Sequence, residues 1–542
     1  MPPRPVAGVA TGEVGSSRAG GAAPGQSSPN GATAAGYLSP DDRYRWTALI
    51  ISTLGMFMAT IDGSIVLIAL PDIFRGIGID PLQPGNSFYL LWMILGFLVV
   101  TSALVVTLGR LGDMYGRARI YNLGFAVFTL FSLLLSITWM TGPAAGMWLI
   151  TMRIFQGVGA AMLMANSAAI LTDAFPANKR GMALGINQAA AFSGTFIGLV
   201  LGGVLAPINW RLIFLVSVPV GLLGTVWGYL KLRELGTRRA AKIDWPGNVT
   251  FALGMVLIMV GITYGIEPYG GHTMGWQNPR VLASIAFGVV LLIAFCVIET
   301  RVPEPMFRLQ LFRIRAFASG VFASFLAALS RGGLMFILVI WLQGIWLPLH
   351  GFDFEQTPLW AGIAMIPLTV GLLIAAPISG VLSDRFGVRP FATGSMLGTA
   401  ICFVLLQVIP VDAPYWMLGS LLFLTGLTMA AFGSPNRTGV MNALPPEHRG
   451  AGSGMNMTFQ NSAQVFSIGI FFTLIIVGLS GTLRGSLYSG LVQHGVSPLV
   501  AIHASHLPPV STLFAAFLGY NPIKHLIGPA TVAHLPAVAQ AT

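Results

Sequence analysis

The chain has 542 residues, of which 55% are hydrophobic and 9% charged, against roughly 25% charged in an ordinary soluble domain. Too few charges remain to coat a water-facing surface, so a soluble globular protein is excluded and an outer surface facing lipid is implied. The net charge of +11 would suggest nucleic acid in a soluble chain; here the basic residues lie in short loops between apolar stretches, so they read as membrane topology.

The first forty residues are rich in Ala, Gly, Ser and Pro and lack the apolar core of a signal peptide. Residues 1–44 therefore read as a disordered cytoplasmic tail, and the first span doubles as an uncleaved targeting signal. Crossing the hydrocarbon core takes about 20 apolar residues, and in lipid such runs must be helical. Candidate spans lie at 46–70, 88–109, 118–140, 145–171, 181–206, 210–230, 244–266, 279–299, 317–347, 358–382, 389–410, 414–443 and 452–480. Residues 484–542 hold no adequate span and carry Pro498, Pro508, Pro509, Pro522, Pro529 and Pro536; they read as a polar extracytoplasmic loop. Arg43, Arg45, Arg110, Arg117, Arg119, Lys179, Arg180, Lys231, Arg233, Arg313, Arg315, Arg385, Arg389 and Arg449 fall on one side of these spans, while the other side has Arg75, Arg211 and Arg280. The excess of Lys and Arg places the N-terminus and the basic loops in the cytoplasm.

The chain repeats itself. Gly109, Asp113, Gly116 and Arg117 follow span 2, and Gly380, Asp384, Gly387 and Arg389 follow span 10, with the two aspartates 271 residues apart. Pro176, Arg180, Gly181 and Gly185 follow span 4, and Pro445, Arg449, Gly450 and Gly454 follow span 12, with the two arginines 269 residues apart. Both copies lie on the same side, so the repeats are parallel, related by an axis along the membrane normal. The reading is an all-α membrane protein: a six-helix half over 45–235, a two-helix insert with its connecting loops over 236–312, and a second half over 313–483 in which five spans are visible. Six, two and six would make fourteen. Either the sequence stops before a last helix or the C-terminus lies outside; the first is favoured.

Ionisable residues inside spans are costly and are functional candidates by default. They are Asp62, Arg153, Arg331 and Arg437, with Asp62 the one acid deep in any span. At about 1.5 Å per residue, Asp62 lies roughly 12 Å from the outer end of span 1 and Arg153 roughly 9–12 Å from that of span 4, so the two can pair. An acid in an apolar site can load and release a proton, which makes Asp62 the candidate proton site, with Arg153 beside it. Gln156, Asn187, Gln188, Gln460 and Gln464 are further in-span polar candidates for a substrate cavity. Gly194, Gly198 and Gly202 recur every four residues on one helix stripe, the pattern of a close helix crossing. Cys296 and Cys402 sit in apolar runs and form no disulfide framework. His503 and His506 have no further ligands near them in sequence, so no metal is expected. With no phosphate-binding glycine loop, ATP is not the driver and no cofactor is expected.

These residues resemble the major facilitator superfamily, and its fourteen-helix drug:proton antiporter branch, over about residues 45–525. Gly109, Leu111, Asp113, Gly116, Arg117 and Arg119 match G-x-L-x-D-R-x-G-R-x-x, with Met114 where arginine is usual. Arg153, Gln156, Gly157 and Gly159 match R-x-x-Q-G-x-G. Asp62, Ile65, Val66, Ala69, Leu70 and Pro71 match D-x-T-I-V-N-V-A-L-P, with Leu67 where asparagine is usual. Gly194, Gly198, Gly202 and Gly203 match G-x-x-x-G-P-x-x-G-G, with Leu199 in place of proline. The resemblance implies the major facilitator fold and a cytoplasmic gate built from Gly109, Asp113, Gly116, Arg117, Asp384 and Arg385, in which Asp113 meets a helix N-terminus or an arginine across the seam between the halves. It also implies a monomer in the inner (plasma) membrane that exchanges small lipophilic molecules for protons. An importer or uniporter of a metabolite is the alternative, and a membrane enzyme or silent scaffold the alternative of another class. The repeat offset makes Arg331 the counterpart of Asp62. The two are expected to face each other across the central cavity, and the surplus of in-span arginines predicts neutral or anionic substrates.

Overall fold

Apolar runs of twenty or more residues find no water for their peptide groups inside lipid, so they close their hydrogen bonds internally as helices. The computed structural model describes residues 40–80, 86–176, 179–235, 244–266, 269–270, 274–302, 305, 307–353, 356–445, 449–493 and 498–505. Thirteen of its helices are long and apolar enough to cross a membrane: α1 Asp41–Ile77, α2 Phe88–Tyr115, α3 Arg117–Ser136, α4 Gly142–Ala174, α5 Met182–Leu205, α6 Leu212–Lys231, α7 Trp245–Ile262, α8 Pro279–Arg301, α9 Arg315–Leu349, α10 Leu359–Ser383, α11 Val388–Val408, α12 Tyr415–Asn442 and α13 Gly452–Leu479. His506, the tail before residue 40 and the stretch 506–542 lie outside the described residues.

The pairing of helices repeats after eight. In the first half α1 packs along α5, α2 along α4, and α3 along α4; in the second α9 packs along α13, α10 along α12, and α11 along α12. The turns repeat as well. Gly116 (φ +113°) joins α2 to α3 and Gly387 (φ +86°) joins α10 to α11; at both places the chain reverses through a backbone conformation that side-chain-bearing residues rarely adopt. The stripe of Gly194, Gly198 and Gly202 sets the α1–α5 crossing. A Cβ on these residues would lie against the carbonyl oxygens of Phe57, Ile61 and Ile65, at 2.8, 2.5 and 2.7 Å. The two helices therefore run in parallel with a four-residue register and leave no room for side chains between them.

The halves meet where α5 packs on α10 and α2 on α13. At the end away from the basic loops the approach is backbone to backbone, since a Cβ on Gly203 would sit 2.7 Å from Leu359 Cα. The insert, α7 and α8, forms a hairpin that docks on α2 and α13. Phe251, Phe295 and Phe307 pack as a trio with centroids 5.2–5.6 Å apart, beside Val105, Val106 and Met455. Thr107 of α2 hydrogen-bonds Asn248 of α7.

Two expected boundaries differ. Residues 40–44, expected in the disordered tail, already form the start of the helix Pro40–Ile77. Residues 484–493, expected in a loop, are helical, because the helix containing α13 runs from Arg449 to Gln493, and a short helix lies over Pro498–Ser505. Leu483, Leu487 and Leu491 stand four residues apart with no proline before Pro498, which is enough to carry an amphipathic extension.

Candidate proton and substrate site

The α1–α5 crossing turns the Asp62 face of α1 toward α4. Asp62 is 0% exposed and Arg153 is 1% exposed, and the two form an ion pair. Gln156, one turn along α4 from Arg153, closes the ring. It accepts from Arg153 at 2.7 Å and donates to Asp62 at 2.9 Å and to the Ser132 hydroxyl of α3 at 2.8 Å. The guanidinium also stacks on Phe97 of α2, 4.4 Å from the centroid. Four helices thus converge on one carboxylate. Ser132 and Phe97 were missed in the sequence, since neither hydroxyls nor phenylalanines are rare in spans. Arg153 Nε remains buried without a hydrogen-bond partner, so the ring leaves one donor unsatisfied in this state.

Not all the expected cavity residues reach a cavity. Asp62 and Gln156 are sealed inside that ring. Asn187 is also buried and spends its amide on Ser167 of α4 at 3.0 Å and on the Ser52 carbonyl at 3.4 Å. Gln188, Gln460, Gln464 and Arg331 stay part-exposed. Asp62 and Arg331 do not face each other: Asp62 is turned into its own half, and the Arg331 guanidinium of α9 lies over Phe192 of α5, 5.7 Å from its centroid. The small-residue crossing fixes the rotation of α1 and takes Asp62 away from the seam. Among the described residues, Arg331 and Arg437 take part in no ion pair.

At the basic end, Arg117 pairs with Asp113 and with Asp173 of α4, each at 2.7 Å, and its backbone N–H donates to Glu234, which follows α6, at 2.7 Å. A Cβ at Gly116 would also collide with Glu234. All these groups belong to the first half, and among the described residues Asp113 pairs within that half, with Arg117, and makes no ion pair across the seam. Glu234 was missed, although it is an acid set among Arg233, Arg238 and Arg239. Arg385 is exposed, and the side chain of Asp384 lies outside what the structure describes.

Residues 52–298 and 243–468 match the model of the Major Facilitator Superfamily. The chain belongs to the major facilitator superfamily. It is 30% identical over 79% of its length to a riboflavin transporter of Clostridioides difficile, covering 88% of that protein. It is 28% identical over 88% of its length to a puromycin resistance protein of Streptomyces alboniger, covering 89% of it. Among solved structures the proton:xylose symporter XylE, bound to 6-bromo-6-deoxy-D-glucose, aligns with a TM-score of 0.52 at 16% identity, over 90% of this chain and 99% of that one; this likeness speaks for the fold alone. The major facilitator protein described here is thus a multi-pass membrane transporter of a small molecule and not an enzyme.

Proposed function

We propose that the protein is a proton-coupled secondary transporter that exports small lipophilic compounds across the plasma membrane as a monomer, with its N-terminus and basic loops in the cytoplasm. The observation that carries this reading is the Asp62–Arg153–Gln156 ring. A carboxylate sealed among four helices and tied to an arginine is a group whose protonation would release its partner and loosen α1 from α4. Similarity to a puromycin resistance protein favours export of a drug-like molecule. Similarity to a riboflavin transporter favours a second reading, movement of an aromatic metabolite by the same coupling.

Reconstitution into proteoliposomes tests both. An imposed pH gradient is expected to drive accumulation of a lipophilic dye, and a protonophore to abolish it; flux indifferent to the gradient would overturn proton coupling, and riboflavin flux without dye flux would favour the second reading. Cysteines placed at Tyr115 and Phe386, both exposed at the basic end, should react with impermeant maleimide from the cytoplasmic side; labelling solely from outside would overturn the orientation.

A further inference from the structure

An arginine inside a span is held at a cost unless something answers its charge. Arg153 has Asp62. Arg331 has no acidic partner and no hydrogen bond to a backbone carbonyl among the described residues. What it has is a ring: its guanidinium lies over Phe192, which belongs to the other half of the molecule. Phe192 packs with Met335, one turn further along α9, against Leu372, Ala375 and Ala376 of α10. On the other side, Gly332 lets α13 come close, with a Cβ there 3.5 Å from the Gln464 side chain and 3.0 Å from Ser467. One cation, one aromatic face and an apolar wall therefore meet at the seam between the halves, with Gln464 on the neighbouring stretch of α13; Arg331 and Gln464 are both part-exposed.

A guanidinium lying over a ring, with no ion pair, has N–H donors left to offer, in the paired geometry that suits a carboxylate or sulfonate. The apolar wall asks for a lipophilic body attached to that group. We propose that Arg331, Phe192 and Gln464 form the anchor for the head group of an amphiphilic monoanion, which is the preferred class of substrate. The inference rests on the transporter reading above and adds the substrate's charge to it. Because Arg331 and Phe192 come from different halves, a bound anion sits on the contact that must part if the halves separate, so the ligand and the opening of the seam act on one interaction.

The test uses three probes that share one body: 4-(1-pyrenyl)butyrate, the matching alcohol and the matching trimethylammonium. Each is titrated into the full chain in lipid nanodiscs and followed by energy transfer from tryptophan, with empty nanodiscs subtracted. The wild-type protein should bind the carboxylate at least about tenfold more tightly than the ammonium, with the alcohol between. Arg331→Gln should abolish that order and leave the alcohol nearly unchanged, while Arg331→Lys should retain part of it. An order that survives Arg331→Gln, or a wild-type protein that binds the ammonium as well as the carboxylate, overturns the proposal. If Arg331→Gln does not fold, the wild-type order decides alone. Gradient-driven flux of the alcohol in proteoliposomes reports the transport reading separately. Flux with no carboxylate preference sinks this inference and spares that reading; carboxylate preference without flux does the reverse.

Discussion

Substituting Asp62 by asparagine removes one charge from a site with no exposure and leaves the other in place. Asparagine keeps the shape of the ring and can still accept from Gln156, so the hydrogen bond now at 2.9 Å survives. The Arg153 guanidinium, 1% exposed, loses its counter-charge and retains the Gln156 oxygen and the Phe97 face. Breaking a buried pair by removing one partner costs about 3–5 kcal/mol; with these two contacts preserved, a loss near the lower end, about 3 kcal/mol, is expected. Removing both charges in Asp62→Asn/Arg153→Gln deletes the orphan and should recover most of that loss. Proton coupling has no such rescue, because neither variant carries the carboxyl. The assay pairs thermal melting of the purified protein, followed by tryptophan fluorescence, with flux in proteoliposomes under an imposed pH gradient and with substrate exchange under none. The single variant should melt earlier, the double should melt near wild type, and both should lose gradient-driven flux while keeping some exchange. Two results would refute the reasoning. A double variant no more stable than the single would mean that the pair is not the relevant interaction. Wild-type pH dependence in Asp62→Asn would mean that the proton is carried elsewhere.

Gly198→Leu should prevent α1 from seating on α5, because its Cβ alone would reach the Ile61 carbonyl at 2.5 Å; overpacking typically costs about 1–3 kcal/mol, and a branched side chain against backbone should exceed that, seen as loss of monodisperse protein on size-exclusion chromatography. Gly185→Ala, where a Cβ meets nothing within 4 Å, should leave the protein equally or slightly more stable by about 0.5–1 kcal/mol. Glu234→Ala removes the acceptor of the Arg117 backbone N–H at the start of α3 and should lower stability by about 1–2 kcal/mol, read as an earlier melting transition; an unchanged melt would show that water replaces the carboxylate freely.

The architecture was legible because the constraints behind it are coarse. Apolar length alone yields thirteen helices, and two glycine-marked loops near one offset reveal the repeat that reappears as α1–α5 and α9–α13, or α2–α4 and α10–α12. Depth was legible too, since rise per residue puts Asp62 and Arg153 at one level. Direction was not. Whether Asp62 points to the seam or into its own half depends on the rotation of α1, and that rotation is set by three glycines on another helix, at the carbonyls of Phe57, Ile61 and Ile65. Arg117 shows the same limit: Asp113 is four residues away, but its other two acids, Asp173 and Glu234, are 56 and 117 residues away along the chain.

The two halves share a scaffold and differ in what they do with charge. Asn187 has Asn456 at the equivalent place and Asn166 has Asn436, all four buried; Asn166, Asn187 and Asn436 tie helices together, Asn436 by donating to the Gly320 carbonyl at 2.9 Å and to Ser324 at 2.7 Å. The ionisable positions have diverged. Where the first half has Asp62, locked by Arg153 and Gln156, the second has Arg331. Where the first half has Ser167, bonded to Ser52 at 2.8 Å, the second has Arg437. The first half holds its charges as a neutral, closed ring and the second leaves two guanidiniums without acids among the described residues. A charge kept unanswered in a low-dielectric site is a standing cost, and an arrangement that confines that cost to one half separates two tasks. On the proposed reading the closed ring would respond to the proton and the open half to a ligand's charge, and α5 would link them, since it carries both the glycines packed on α1 beside Asp62 and the Phe192 ring under Arg331.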